Sequence, residues 1–217
     1  MRINIPKMRS TLSDLKTEGT TYVNKIVEMY QEVYAKLDPL DVSLPWAGPQ
    51  AGNFINEVRG MEPTFLSITQ MLQEATDSLA THISAWGNLE TTMSQDELFE
   101  KYHPENIQEM ARRKDGNDAV TSAAEVNMNF EPSEVEMLRQ KIVDLGEEVN
   151  RVFGRITGDI LSEVKQYYES DASTSYQNKV TTAANEANSA MKKVISRFDY
   201  WLTEAKAAYN KQDQNLV

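Results

Sequence analysis

Few residues in this sequence could carry out chemistry, and they are widely spaced. There are two histidines, His82 and His103, and no cysteine. Glu100 and His103 have the Glu-x-x-His spacing that supplies ligands in di-iron helical bundles, but such a site needs a second copy of the motif and further glutamates. The sequence contains no second copy. His82 lies beside the apolar residues Leu79 and Ile83, and we interpret it as an ordinary residue at the flank of a helix.

Other catalytic patterns are also missing. The sequence has no phosphate-binding glycine loop, no serine nucleophile elbow and no dinucleotide-binding fingerprint. The lack of cysteine removes disulfides, thiolate metal sites and thiol nucleophiles together. We therefore predict a protein that is not an enzyme and that needs no cofactor or metal.

The charge balance limits the partners. The chain has 217 residues with 33 acidic and 22 basic side chains, so its formal net charge is −11. Nucleic acid and anionic membranes would be repelled, and no apolar run has the length of a membrane span or of a signal-peptide core. We expect a soluble protein that does not use the general signal-peptide route, and this disfavours a membrane-active helical toxin.

Apolar residues recur three and four positions apart in four long segments, which is the spacing of amphipathic helices. The sequence predicts an all-α fold, in which two long antiparallel hairpins form a four-helix bundle as a pseudo-dimer within one chain. The predicted divisions are a first hairpin at 1–88, a partly helical insert at 89–131 and a second hairpin at 132–217. The four segments are Leu12–Leu37, Phe54–Trp86, Val135–Tyr167 and Tyr176–Ala208.

Proline and glycine predict where these helices end or bend. Pro39 and Pro45 end the first helix near Leu37, and Gly60 with Pro63 predicts a kink or break at residues 60 to 63. A glycine costs a helix about 1 kcal/mol relative to alanine. We therefore interpret three glycines of the third helix as close-packing points or slight bends, namely Gly146, Gly154 and Gly158.

The insert has a polar, mixed composition. Ser94 to Glu97 is a candidate capping box, and Pro104 is suited to open a short helix. We expect the insert to lie beside one end of the bundle, where it could form a docking surface.

The turn between the first two helices has a weaker counterpart 122 residues later. The first turn contains "WAGPQAGNF" at 46–54, and we interpret the second as a degenerate copy whose helix is capped by Asp171 or Ser173. Gly48 tolerates backbone conformations closed to other residues, and Pro49 suits the first position of a helix. We expect the Trp46 indole to cover the end of the hairpin, with its N–H near polar groups of the turn. The aligned pairs are Trp46 with Tyr168, Gly48 with Ser170 and Phe54 with Tyr176.

Trp46-Ala47-Gly48 between two helices, with an aromatic residue eight positions after the tryptophan, resembles the WxG family of small ESAT-like proteins. Members of that family are helical hairpins that pair into antiparallel four-helix bundles and are substrates of type VII secretion systems. This chain is similar to two such hairpins joined together, over residues 5–88 and 132–213. The resemblance implies that it is exported by such a system, or acts as its adaptor or chaperone.

The same resemblance implies an export signal, a tyrosine followed four residues later by an acidic residue just beyond the last helix, for which Tyr209 and Asp213 are the candidates. The implied partners are a secretion-system ATPase or receptor and a co-secreted helical protein or toxin. The implied location is outside the cell or at its surface, after a cytoplasmic stage, as a monomer or weak homo-oligomer. The alternative is an intracellular structural or interaction protein, whose helices form a longer coiled coil with a partner.

Overall fold

Four long helical rods run antiparallel in the computed structural model, which describes residues 1–87 and 128–216. The elements in chain order are β1 (Arg2–Ile3), α1 (Ile5–Lys36), β2 (Trp46–Ala47), α2 (Pro49–Gly60), α3 (Glu62–Gly87), β3 (Asn129–Phe130), α4 (Pro132–Gly154), a π-helical segment (Arg155–Ile160), α5 (Leu161–Tyr167), β4 (Tyr168–Glu169) and α6 (Asp171–Leu216). The first rod is α1, the second is α2 with α3, the third is α4 with the π-helical segment and α5, and the fourth is α6. Both α1 and α6 pack against α3 and α4, so the apolar seams meet in one core. The all-α prediction with two hairpins is confirmed.

The second rod breaks where the sequence predicts. The helix α2 ends at Gly60, Met61 forms a turn, and α3 begins at Glu62. Pro63 is therefore the second residue of a new helix, where the missing backbone N–H has no helical partner to lose. The break redirects the chain without an unpaired donor inside a helix.

Of the three glycines in the third rod, one has the predicted role of a close-packing point. A Cβ atom at Gly146 would lie 2.5 Å from Cγ1 of Ile195, so this glycine is a close-packing point between α4 and α6. A Cβ atom at Gly154 or Gly158 would meet nothing within 4 Å. These two residues border and occupy the π-helical segment, where the rod departs from regular α-helix.

Two short antiparallel ladders join the halves of the chain reciprocally. The strand β1 pairs with β4, which follows the third rod, and β3 pairs with β2, which follows the first rod. Each half thus lends its N-terminal strand to the turn of the other half. Such a mutual exchange is the pattern of an isologous two-fold interface, made here within one chain.

Equivalent hydrogen bonds confirm this pseudo-symmetry atom by atom. The amide of Asn4 donates to the carbonyl of Tyr167 at 3.0 Å, and the amide of Glu131 donates to the carbonyl of Pro45 at 2.8 Å. The donors are 127 residues apart and the acceptors 122, because the first half has a loop at 37–45 before its turn whereas α5 runs directly into β4. A repeat search at a single offset therefore finds only half of the duplication.

The described residues on either side of the insert lie at opposite ends of the bundle. Trp86, beside Gly87, contacts Tyr168 at one end, and Met128 lies against Gly48 at the other. The expectation that the insert lies beside one end of the bundle concerns residues outside the described part of the chain, and it stays a prediction. The candidate capping box, Pro104, Glu100 and His103 lie outside the described residues.

Candidate functional site

Trp46 closes one end of the bundle as predicted. Its side chain is fully buried, stacks on Phe54 with ring centroids 5.7 Å apart and an interplanar angle of 23°, and meets the ring of Phe130 edge-on at 5.7 Å. The burial confirms that the indole seals the hairpin, and Phe130 comes from the strand that the other half lends.

The predicted environment of the indole N–H is wrong. Nε1 of Trp46 is buried and has no hydrogen-bond partner among the described residues. The carbonyls of the turn already accept backbone amides: Pro39 from Gly48 at 3.0 Å, and Trp46 from Asp38 at 3.1 Å. The backbone of the turn is thus paired with itself, and the indole contributes apolar area and ring contacts.

Gly48 adopts a conformation that a side chain would disfavour. Its φ is +112° and its ψ −177°, and it is the one residue with positive φ in the described part of the chain. A Cβ atom there would lie 2.9 Å from Cγ of Met128. Pro49 then begins α2, as predicted. Backbone conformation and lack of space therefore both require glycine at this position.

The rings around Trp46 continue into α6 and form an aromatic ladder between the halves. Phe54 meets Phe198 edge-on at 5.7 Å, and Phe130 stacks on Tyr209 with centroids 4.0 Å apart and an interplanar angle of 5°. We did not predict Phe130 or Phe198 as part of this site. The ladder consists of Phe198, Phe54, Trp46, Phe130 and Tyr209.

The candidate export residues occupy a different setting from the one implied by the resemblance. Tyr209 and Asp213 lie within α6, which continues to Leu216, so the pair is helical and does not follow the last helix. Asp213 is exposed, whereas Tyr209 is half-buried in its stack on Phe130. A receptor that engages the whole tyrosine ring would have to separate it from Phe130.

The opposite end of the bundle is built on hydrogen bonds. Tyr168 is buried; its hydroxyl accepts the indole N–H of Trp86 at 3.2 Å and lies 3.1 Å from Nδ1 of His82. An indole N–H can only donate, whereas the direction of the bond between the hydroxyl and Nδ1 depends on the tautomer of the imidazole. Burial lowers the pKa of His82 and so favours the neutral ring. His82 is therefore a partner of the second turn and more than a helix-flank residue.

Tyr176 completes this end, as Phe54 does at the other. Its ring meets that of His82 at 5.7 Å, and its hydroxyl donates to the carbonyl of Ala75 at 3.1 Å. Burial raises the pKa of Tyr176 above the usual range of a phenol, so the hydroxyl stays protonated and keeps this bond.

Ser170 replaces the glycine of the first turn and performs a different task. Its Oγ accepts the amide of Ser173 at 3.1 Å, so Ser170 caps α6, and the predicted caps Asp171 and Ser173 are wrong. Oγ of Ser173 donates to the carbonyl of Tyr168 at 2.7 Å and so fixes the turn from inside the helix. Since φ is not positive at Ser170, the second turn has no need for glycine.

These observations define a class of structure: two fused helical hairpins related by a pseudo-two-fold axis, with an apolar aromatic turn at one end and a hydrogen-bonded turn at the other. Within residues 1–87 and 128–216, no group of three or more His, Asp and Glu side chains is placed to hold a metal. In the same ranges no helix combines the length and apolarity that crossing a membrane requires. Comparisons with protein-family models, with curated proteins and with solved structures give no match.

Proposed function

We propose that this chain is a non-enzymatic helical protein that is exported by a type VII secretion system or serves that system as an adaptor or chaperone. The observation that carries the proposal is the geometry of the first turn. Trp46 is buried on the hairpin end and Gly48 has φ +112° directly before a proline-initiated helix. Both features suit a turn between two packed helices, which is the position that the Trp-x-Gly motif has in the resembled family.

The pairing of the two halves supports the same proposal. Hairpins of the resembled family pair as separate chains, and the reciprocal strand exchange here joins two hairpins in an equivalent way within one chain. Because the apolar seams are buried inside one chain, little driving force is left for the longer coiled coil of the alternative hypothesis. We infer that the protein acts as a folded monomer, with a secretion ATPase or receptor as its partner.

The test is export from a bacterium with an active type VII system. We expect the protein in the culture medium only when the secretion ATPase is intact. Asp213→Ala should reduce export strongly, since this exposed carboxylate is available to a receptor without unfolding. Tyr209→Phe keeps the stack on Phe130 and removes only the hydroxyl, so it separates recognition of that group from packing.

The chain offers a matched control on the same helix. Tyr200 and Glu204 have the same four-residue spacing in α6, and Tyr200 is 61% exposed. The double variant Tyr200→Ala, Glu204→Ala should be exported normally. Export that does not depend on the ATPase would refute the proposed function, and equal losses in the control and in Asp213→Ala would refute only the assignment of the signal.

A further inference from the structure

An open groove runs between α3 and α6. It consists of two adjoining cavities of about 600 and 250 Å³, which share Met71, Glu74 and Ala183. Along α3 the groove extends from Pro63 to Ser78, a distance of about 22 Å at 1.5 Å per residue. It is therefore long and narrow, parallel to the helices, and about four helical turns in length.

On the α6 side, the larger of the two cavities is lined mainly by small side chains. Ala183, Ala187 and Ala190 form the α6 wall. The opposite seam, between the first and third rods, is closed by four ion pairs. Within residues 1–87 and 128–216, one ion pair joins the second rod to the fourth, Glu57–Arg197; it lies on α2, and none joins α3 to α6. The four pairs are Glu18–Arg155, Lys25–Glu148, Glu28–Lys141 and Lys36–Glu134.

The rim of the groove is acidic. Glu74 on α3 and Glu186 on α6 are both exposed, and Lys179 is the single basic residue that lines the two cavities. Beside the rim, partial burial and the charge of Glu74 raise the pKa of Asp77. A partner with positive charge would therefore be attracted along this face.

We propose that this groove binds an amphipathic helix of a partner protein, with large apolar side chains at i, i+3 or i+4 and i+7, and with Lys or Arg on both flanks. Apolar side chains of the partner fill the space left by the alanines, which is the helix-in-groove mode of recognition. Its basic residues face Glu74 and Glu186. This inference goes beyond the proposed function, because it requires neither export nor the C-terminal signal.

Charge also argues against the two occupants that the chain itself could supply. A second copy would present the same acidic rim, so the two faces would repel each other. Residues 88–127, outside the described part of the chain, include nine acidic and four basic residues, so their net charge has the same sign as the rim. A foreign basic helix is the occupant that the surface complements.

Fluorescence anisotropy with the full chain tests the proposal. The probe is a labelled Leu/Lys peptide of about 15 residues, which matches the groove length, with leucines on one helical face; a scrambled peptide of the same composition is its control. We expect the amphipathic peptide to bind at least about tenfold more tightly than the scrambled one. The pair Ala183→Leu, Ala190→Leu, which fills the groove, and the pair Glu74→Lys, Glu186→Lys should each weaken binding about tenfold.

The pair Glu163→Lys, Glu169→Lys is the matched charge control, since both carboxylates are exposed and neither lines the groove. Binding should be unchanged in this pair, and circular dichroism should confirm that every variant is folded. Equal binding of both peptides, or equal loss in both charge pairs, would show non-specific attraction and overturn the proposal.

A cysteine probe tests whether the groove is free. The chain has no cysteine, so Ala190→Cys and the exposed neighbour Ser189→Cys can each be alkylated at one site. We expect both variants to react in the isolated protein. Bound peptide should protect Ala190→Cys and leave Ser189→Cys reactive. If Ala190→Cys is protected without peptide, the groove is already covered and the proposal is wrong. Light scattering then identifies the occupant: a dimer indicates a second copy, and a monomer indicates the insert.

Discussion

Gly146 provides a sharp test of how closely α4 and α6 pack. In a helix, replacing glycine by alanine normally stabilises by about 1 kcal/mol. At Gly146 the new Cβ would lie 2.5, 2.9 and 3.0 Å from Cγ1, Cδ1 and Cγ2 of Ile195. Favourable carbon contacts need about 3.5 Å or more, so α6 would have to move or the isoleucine to leave its rotamer.

The expected magnitude follows from these two opposing effects. Overpacking of this kind costs about 1–3 kcal/mol, so the free energy of unfolding of Gly146→Ala should fall by about 1 kcal/mol after the gain in helix propensity. Isoleucine is branched at Cβ, which makes its Cγ atoms stiff and prevents an inexpensive adjustment. Gly154→Ala, whose Cβ would meet nothing within 4 Å, should instead raise the free energy of unfolding by about 1 kcal/mol.

Urea unfolding followed by circular dichroism measures both variants. Ile195→Ala removes the three crowded atoms, so Gly146→Ala should become stabilising in that background, with a coupling free energy of about 2 kcal/mol in the double-mutant cycle. If Gly146→Ala is as stabilising as Gly154→Ala in the unmodified chain, the close approach of α4 and α6 is wrong.

Two further predictions concern the ends of the bundle. Trp46→Ala should lower the free energy of unfolding by about 3–5 kcal/mol, because the variant loses a fully buried ring that stacks on Phe54 and meets Phe130 edge-on. A change below about 0.5 kcal/mol in urea unfolding would contradict the burial of the ring. Burial lowers the pKa of His82 below its unfolded value of 6.5, so the folded state binds fewer protons than the unfolded state. The contribution of His82 to stability is therefore complete above about pH 6.5 and is lost as the pH falls through the folded pKa. Thermal unfolding between pH 8 and 5 should show that loss of stability, and His82→Gln should make it smaller. If stability depends on pH in His82→Gln as it does in the unmodified chain, the contact of His82 with the Tyr168 hydroxyl is wrong.

Helix periodicity was sufficient for much of the fold. The four amphipathic segments and the break at Met61 follow from spacing and proline position, which are local properties of the sequence. These features depend on the residues within one element or one turn. The sequence therefore contains the information for them in a short window.

The strand exchange could not be predicted in this way. Each strand has two residues, too few for an alternating pattern, and its partner lies more than 80 residues away. The available signal is a likeness between the two N-terminal segments, "RINIP" at 2–6 and "NFEP" at 129–132: in Ile3-Asn4 and in Phe130-Glu131 an apolar residue and then a polar residue directly precede a helix. That likeness has an offset of 127 and is not visible at 122.

The burial of the candidate export residue Tyr209 could not be predicted from spacing either. The four-residue spacing of Tyr209 and Asp213 places both on one helical face, but spacing cannot tell whether a tyrosine is free. Its stack on Phe130 depends on β3, which is brought there by its ladder with β2. The exposure of a surface tyrosine is thus decided by a strand from the start of the same half, about 80 residues earlier in the chain.

The two turns differ because a tyrosine in place of a tryptophan needs different neighbouring side chains. A buried phenol carries a hydroxyl that needs partners, and an unpaired one costs about 1–3 kcal/mol. Where Tyr168 takes the position of Trp46, His82 and Trp86 supply those partners, and Ser170 caps the helix that Gly48 only begins. The second turn therefore reverses the chain and pairs with the strand lent by the other half through a different set of contacts. Weak sequence identity between the turns is the expected result of such coupled change, because each pairing requires its own set of side chains.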